Sequence, residues 1–411
     1  MKLQRRLIVS KIWEDKIIRL LFLNILLVIL SYAFAVMTGM ASNAIMTPFR
    51  TLVLLFSIYY TFKKLTPLDF HVLKNELYSL FLFIGMIVFL LLFSQDFFRT
   101  IERTSQFVVP FAYIFLVSMY FIKAYSKEDI WYYFLVMINI TYLIPVISYL
   151  LGDGGLGAKN IYGTEEDGAF ASNHYGWASL LFILTFYDLN KNYTLPKWHR
   201  WTGMIMLLPA FFLLLVSGNR ASYLCFAISS VVFLLRHNTV NIFFRISLVA
   251  LVSFYVYDQL SDEQTALSAR LKRTELQLQD DEEYADTRRT ARETGIDVMD
   301  KHPETYLTGF GLFSFKEAVI AFEPSTSYAR IKSGVHNSYL ELFFGSGIIV
   351  FAFFMCVYIF YPLGIYIVQY SDRFLFVLPV FIIPFFESNL TGGQFLFYPW
   401  LVTAMLFRFV K

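Results

Sequence analysis

The chain has 411 residues, of which 57% are hydrophobic, 19% aromatic and 16% charged, and its formal net charge is +3. This composition offers too little polar surface for a soluble globular fold, so it excludes that class and predicts an integral membrane protein. The basic residues are scattered along the chain, which argues against a nucleic-acid-binding surface and favours a role in membrane orientation.

Apolar stretches long enough to cross a bilayer recur along almost the whole chain. A helix needs about 20 apolar residues to cross the hydrocarbon core. We therefore predict an all-α polytopic membrane protein with about twelve transmembrane helices. The approximate spans are residues 17–37, 43–62, 77–94, 105–123, 130–151, 172–189, 201–217, 220–236, 240–258, 337–369, 373–387 and 393–410.

Basic residues predict the orientation of these spans. The first apolar run is too long for a signal-peptide core and lacks a small-residue cleavage site, so we interpret it as a retained span. Placing the N-terminus in the cytoplasm puts most basic loops on the same side, as the positive-inside rule expects. These loops contain Lys63, Lys64, Lys74, Lys123, Lys127, Lys191, Lys197, Arg200, Arg236, Arg245 and Arg373. Both termini are then predicted to be cytoplasmic.

One long polar stretch, residues 259–335, separates the apolar blocks 1–258 and 336–411. The predicted orientation places this stretch outside the cytoplasm, and we call it the lid. Its composition from Ser261 to Met299 favours one or two helices that end near His302-Pro303. Thr308-Gly309-Phe310-Gly311 predicts a turn. The three segments are our predicted domains.

Arg220 lies in a very short turn, Val216–Tyr223, between two apolar runs on the outer side. An arginine there is either a side chain that extends to the membrane interface or a fixed anion clamp, because guanidinium binds phosphate in a bidentate manner. Both interpretations remain open on the sequence alone.

Two pairs of arginines lie four residues apart, a spacing that puts both members on one helix face. Arg288 and Arg292 belong to the lid, where nearby glutamates favour a solvated, salt-bridged face. Arg99 and Arg103 precede the fourth predicted span, with Asp96 and Glu102 available as ion-pair partners. Each pair can serve in ion pairing or in substrate contact.

His336 stands where the apolar chain resumes after the lid, with Glu341 five residues further on. Imidazole can accept a proton near neutral pH, so His336 is a candidate general base, and its alternative role is that of an interfacial histidine that orders a loop. His174, at the start of the sixth predicted span, competes for the same role. The sequence has neither a zinc-binding Cys/His spacing nor a phosphate-binding loop, and we expect no metal and no cofactor.

Three separated segments of the chain resemble the O-antigen polymerase and ligase superfamily of bacterial surface-polysaccharide synthesis. The first is Ser217-Gly218-Asn219-Arg220. The second runs from Arg288 through Lys301-His302-Pro303 to Gly309-Phe310-Gly311. The third is His336-Asn337-Ser338-Tyr339-Leu340-Glu341 with Gly345 and Gly347. In the family the position of Arg292 is often aromatic and the Gly-x-Gly turn lies closer to the proline, so Arg289 and Arg292 remain alternatives to Arg288.

The resemblance implies a metal-independent, inverting glycosyltransferase of the bacterial cytoplasmic membrane, with its active site on the outer face. Its donor would be a glycan on undecaprenyl diphosphate. Arg220 and Arg288 would neutralise the diphosphate and His336 would activate the acceptor hydroxyl, while Asn337, Tyr339 and Glu341 would orient the base or the sugars.

The same resemblance leaves the acceptor open. A polymerase adds the glycan to another lipid-linked repeat unit and would be expected to work with a chain-length regulator, whereas a ligase adds it to lipid A-core. The aliphatic and aromatic spans around the His336 segment favour the polymerase. A hypothesis from another class is a transporter or flippase for a lipid-linked glycan, since prolines within several spans are compatible with broken transport helices.

Overall fold

A computed structural model describes residues 15–20, 42–72, 74–94, 97–125, 172–193, 195–216, 222–229, 287–312, 315–322, 335 and 337–369, with isolated residues between 23 and 27, between 129 and 146, and at 382. About 90% of them are helical and none lies in a strand, which confirms the predicted all-α class.

The principal helices are numbered in chain order. They are α1 Ser42–Lys64, α2 Pro67–Val72, α3 Lys74–Leu90, α4 Phe97–Ala124, α5 Ser172–Asn192, α6 Lys197–Val216, α7 Thr287–Lys301, α8 Thr305–Thr308, α9 Phe315–Phe322, α10 Ser338–Phe354 and α11 Tyr361–Gln369, with a π-helical segment, Met355–Phe360, between the last two. In the lid, α7 ends at Lys301, directly before the predicted stop at His302-Pro303.

One helical stretch within the described residues, Ser338–Ile365, is long and apolar enough to cross a membrane, and Leu77–Phe93 is apolar but shorter. The longer stretch lies within the predicted span 337–369. Helices α1, α4, α5 and α6 have 23, 28, 21 and 20 residues and lie where spans are predicted. The predicted spans 17–37, 130–151, 220–236, 240–258, 373–387 and 393–410 lie largely or wholly outside the described residues, so the number twelve stays a prediction.

The chain divides into two compact units. The first draws on Met1–Tyr60, Tyr125–Thr274 and Asp372–Pro379, and the second on Thr61–Ala124, Glu275–Ser371 and Val380–Lys411. The predicted division at residues 258 and 335 follows the polarity of the sequence, whereas the two units are defined by contacts between residues. The predicted domains therefore stay a prediction.

Helix α5 forms the centre of the first unit. Its residues 175–186 are all buried, as expected for a helix that is apolar on every side. The Phe182 ring stacks on Tyr142 with 4.4 Å between centroids. Within this interior, Asn139 Nδ2 donates a hydrogen bond of 3.0 Å to Thr185 Oγ1.

In the second unit, a polar cluster ties α1, α2 and α4 together at one end. Asp69 accepts hydrogen bonds of 2.6 Å from both the amide and the hydroxyl of Thr66, and it pairs with the ammonium group of Lys123. Lys123 Nζ also donates to the carbonyl of Lys64 at 3.1 Å. The hydrogen bond from Lys123 is the main cause that lowers the pKa of Asp69 to about 2. Lys64 and Lys123, predicted to lie on one side of the membrane, thus meet.

The opposite end of α4 begins beside a short polar turn. Ser94 Oγ and Thr100 Oγ1 are 2.5 Å apart, and Thr100 is buried. At about 1.5 Å per residue, Thr100 and Lys123 are separated by roughly 35 Å along α4. This distance matches the hydrocarbon thickness of about 30 Å, so the two ends of α4 can face opposite sides of a membrane.

Candidate functional site

The lid helix α7 packs against aromatic rings through one face. Ala291 and Met299 are completely buried on this face. Gly295 lies between them, and a methyl group added there would come within 2.8 Å of the Phe315 ring and 3.0 Å of the Phe344 ring. The missing side chain at Gly295 therefore allows the lid helix to lie directly on the two rings.

Phe344 of α10 is the centre of this packing. Its ring centroid lies 5.1 Å from that of Phe315 and 6.3 Å from that of Phe310. The fully buried Val335, next to His336 in sequence, belongs to the same cluster. We call this cluster the lid core, and its buried members are Ala291, Val298, Met299, Phe310, Phe315, Val319, Val335 and Phe344. The lid core joins the lid helix to the segment on either side of His336.

The predicted turn at Gly309–Gly311 binds the backbone of α10. The amide of Phe310 donates to the carbonyl of Phe344 at 2.7 Å, and the amide of Gly311 donates to the carbonyl of Gly345 at 3.1 Å. Helix α10 is interrupted at Gly347, whose φ of 71° and ψ of 175° are non-helical. We call the paired segments 309–311 and 344–347 the glycine clasp. Two Gly-x-Gly triplets that lie apart in the sequence are thus partners.

Both sides of the glycine clasp require glycine. Gly309 has a φ of 72°, and a Cβ there would lie 2.4 Å from the carbonyl carbon of Gly345. A Cβ at Gly347 would lie 2.1 Å from the carbonyl oxygen of Leu307. Any other residue would therefore meet backbone atoms and would also have to adopt a left-handed conformation that L-residues disfavour.

The clasp also lies against the beginning of α4. A Cβ at Gly311 would be 3.0 Å from Thr100 Oγ1, the hydroxyl that pairs with Ser94. Arg99 and Arg103 belong to the same first turns of α4, and the structure describes their backbone as helical. The lid turn, α10 and this pair of arginines therefore belong to one end of the second unit, the end far from Lys123.

The residues that follow His336 form a capped and buried first turn of α10. Asn337 has an extended backbone, and its side-chain oxygen accepts a hydrogen bond of 3.0 Å from the amide of Leu340. This bond is a typical N-cap, which satisfies an amide that the helix itself leaves open. Asn337 and Glu341 are each 9% exposed and Tyr339 is 2% exposed. All three predicted site residues thus point away from bulk water.

Arg292 is the lid arginine whose side chain the structure describes. It is half-buried, and its Nε atom is buried with no hydrogen-bond partner among the described residues. A buried donor without an acceptor is costly, and an anionic ligand would satisfy it.

Arg288 and Arg289 lie in the first turn of α7, where the structure describes their backbone. At 100° per residue, position 288 is nearly in line with Gly295 on the face that packs against the lid core. Position 289 is in line with Ile296, which is 47% exposed. The spacing of four residues puts positions 288 and 292 on one side of the helix.

Arg220 and His336 lie outside the described residues. The neighbours of His336 in sequence, Val335 and Asn337, are both buried. His174 lies in α5, which belongs to the first unit. The part of the chain that the structure describes contains no group of three His, Cys, Asp or Glu residues that could hold a metal ion.

The sequence motifs did not predict the clasp or the contact of Gly311 with Thr100. The signal for the clasp was the recurrence of a Gly-x-Gly triplet in the lid and again within an apolar helix, because glycine in both segments permits close backbone approach. The contact with Thr100 has no comparable signal, since a threonine near the start of a helix is common.

A family model described as O-antigen ligase matches residues 204–355. The match covers less than half of the chain and includes the lid helix, the glycine clasp, Arg220 and His336, whereas Arg99, Arg103 and His174 lie outside it. A comparison with curated proteins finds no match. The match confirms the resemblance inferred from the three segments, and it supports a membrane protein with ligase-type or polymerase-type activity.

Proposed function

We propose that this chain, as a member of the O-antigen polymerase and ligase superfamily, polymerises glycan repeat units carried on undecaprenyl diphosphate at the outer leaflet of a bacterial cytoplasmic membrane. The observation that carries the proposal is the joining of the lid helix, the Gly309–Gly311 turn and the beginning of α10 through one core and one backbone clasp. These elements contain two of the three family segments.

The proposed role of the arginines is to stabilise the leaving group. When the glycan leaves its carrier, negative charge develops on the lipid diphosphate, and guanidinium groups can neutralise it without a metal ion. Arg292 supports this role because its buried Nε has no partner among the described residues. Arg288 shares its side of α7, and we assign the main contact to Arg288, with Arg292 and Arg289 as further contacts. Arg220 would approach the diphosphate from the membrane.

His336 is the proposed general base. The acceptor hydroxyl gives its proton to the imidazole as its oxygen attacks the anomeric carbon, and the bond from that carbon to the diphosphate breaks with its electron pair on the diphosphate. Attack opposite the leaving group inverts the anomeric centre and needs no covalent intermediate. On either side of His336 in sequence, Val335 is buried and Asn337 caps α10. Tyr339 and Glu341 would orient the base or the sugars.

The proposed site faces outward. The clasp lies at the end of α4 that is roughly 35 Å from Lys123, and lysines favour the cytoplasmic side. Arg99 and Arg103 begin α4 at the outward end, where we propose that they contact the substrate. His174 is the alternative base. The bilayer supplies the lipid-linked donor, and a chain-length regulator would be a further partner.

The second candidate function is ligation of the glycan to lipid A-core. The observation in its favour is the description of the matching family model as O-antigen ligase. The two activities share the donor and the proposed site, and they differ in the acceptor alone.

Purified protein should be given a defined undecaprenyl-diphosphate repeat unit, with a second repeat unit or lipid A-core as acceptor. We expect longer lipid-linked chains with the first acceptor. His336→Ala and Arg220→Ala should each lower the rate by at least about 100-fold, which is the usual effect of removing a general base or a charge-stabilising donor. Matched controls are His71→Ala and Arg200→Ala, which replace exposed residues of the predicted cytoplasmic side.

Other outcomes of this experiment would lead to different conclusions. Extension of lipid A-core alone would establish the ligase, and full activity of His336→Ala would favour His174 as the base. Loss of activity with a chelator, reversed by a divalent metal, would refute the arginine mechanism. Movement of the intact donor across the membrane without glycan transfer would establish a transporter.

A further inference from the structure

The glycine clasp lies where α10 is interrupted by the non-helical conformation of Gly347. In an uninterrupted α-helix the carbonyls of Phe344 and Gly345 accept from the amides of residues 348 and 349. The non-helical conformation of Gly347 interrupts this register. The same two carbonyls accept hydrogen bonds from the amides of Phe310 and Gly311 in the lid.

These carbonyls have little access to water. Phe344 is 1% exposed, and Gly345, Ser346 and Gly347 are all buried. They belong to Ser338–Ile365, the stretch that is apolar enough to cross a membrane. A backbone carbonyl within hydrocarbon must have a partner in the protein, since no water is available to replace one. If the lid turn departs, the remaining donors at this place are the amides of residues 348 and 349.

Glycine at position 347 can adopt both the present non-helical conformation and a helical one. With φ at 71°, the residue fits directly against the carbonyl oxygen of Leu307 in α8. Rotation of Gly347 into the helical region would close α10, and it would remove the conformation that fits Leu307. Glycine populates both regions at similar cost, so neither arrangement is blocked by strain.

We propose that the glycine clasp is a two-state latch. With the lid docked, α10 is broken at Gly347 and its open carbonyls bind the lid turn. With the lid released, α10 closes into a continuous helix. The first turn of α10 begins at Ser338, two residues after His336, so the latch couples the position of the lid to that of the proposed base. This last consequence rests on the proposed function, whereas the latch itself does not.

The test is hydrogen–deuterium exchange of the purified full-length protein in detergent micelles, without substrate. Gly347→Ala disfavours positive φ, which alone favours the continuous helix by about 5- to 30-fold, and its Cβ would also meet the carbonyl oxygen of Leu307, so this factor is a minimum. We expect exchange at Phe310 and Gly311 to become faster by at least that factor, while exchange at Ile348 and Ile349 becomes slower. Opposite changes in the two segments distinguish a latch from simple destabilisation.

Gly364→Ala is the matched control, because Gly364 lies in α11 of the same unit with no atom within 4 Å of its Cβ position. It should leave exchange in both segments unchanged. Gly309→Ala blocks docking from the lid side while residue 347 remains glycine, and it should reproduce the opposite changes. If Gly347→Ala does not fold, Gly309→Ala alone tests the latch.

Faster exchange in both segments, or unchanged exchange in both, would overturn the latch. Because no substrate is present, the result does not depend on the transfer reaction. A failed transfer assay would therefore leave the latch intact, and failure of the latch would leave the proposed reaction intact.

Discussion

Phe344 holds the lid in place, and replacing it with alanine should release the lid while α10 remains in the membrane. The ring is buried, contacts Phe310 and Phe315, and lies beneath Gly295 of the lid helix. Loss of a buried Phe side chain costs about 3–5 kcal/mol when the cavity cannot collapse. At about 1.4 kcal/mol for each tenfold change, lid opening should increase by roughly 100- to several-thousand-fold.

The assay is hydrogen–deuterium exchange of peptides that cover residues 291–311. These amides should exchange faster in Phe344→Ala by the factor given above, up to the rate of the unprotected chain. Phe354→Ala is the matched control, since Phe354 is equally buried in α10 but lies beyond the break, against Phe83 and Tyr358. It should lower the thermal stability of the protein and leave lid exchange unchanged.

Two results would refute this reasoning. If lid exchange stayed unchanged in Phe344→Ala, the lid core would not hold the lid. If Phe354→Ala accelerated lid exchange equally, the lid and the membrane helices would unfold as one cooperative unit, and the local contacts of Phe344 would not decide the position of the lid.

Two further predictions concern polar contacts. The pKa of Asp69 in the folded protein is lowered from an ordinary value of 3.8 to about 2, so its contribution to stability is complete above about pH 4 and is lost as the pH falls toward 2. The melting temperature of the wild type should therefore fall more steeply over this range than that of Asp69→Asn. Parallel curves for the two proteins would contradict the prediction. Asn337→Ala should lower the free energy of unfolding by about 0.5–2 kcal/mol and also reduce glycan transfer. Asn337→Asp keeps the cap and should therefore retain most of the stability. If chemical denaturation showed equal losses for the two variants, the cap would not be the cause.

Several parts of the fold follow from local sequence rules. Hydropathy predicted the span at 337–369, and the proline at 303 predicted the end of the lid helix, because proline cannot continue a helix and restricts the residue before it. Paired glycines predicted the turn at Gly309–Gly311. Each of these features depends on residues that are neighbours in sequence, so a single chain is sufficient to reveal it.

The buried face of the lid helix could not be predicted from the sequence. The spacing of Arg288 and Arg292 shows that they share a face but does not say which face is buried, and Arg289 and Arg292 remained alternatives to Arg288. Burial of Ala291 and Met299 identifies the face of α7 that packs against the lid core. The side of a helix that is buried depends on its partner, and the partner here is the distant aromatic residue Phe344.

The sequence by itself determined the class of the protein, the polar lid between apolar blocks, and the three family segments around Arg220, Arg288 and His336. The tertiary structure alone decided that the lid turn and α10 are hydrogen-bonded partners. The physical reason is that hydropathy and helix propensity act over a few residues, whereas the bond from Phe310 to Phe344 joins two backbones distant in sequence. Such pairing needs close approach of two backbone segments. Glycine permits this approach in both segments but does not specify which segments will pair.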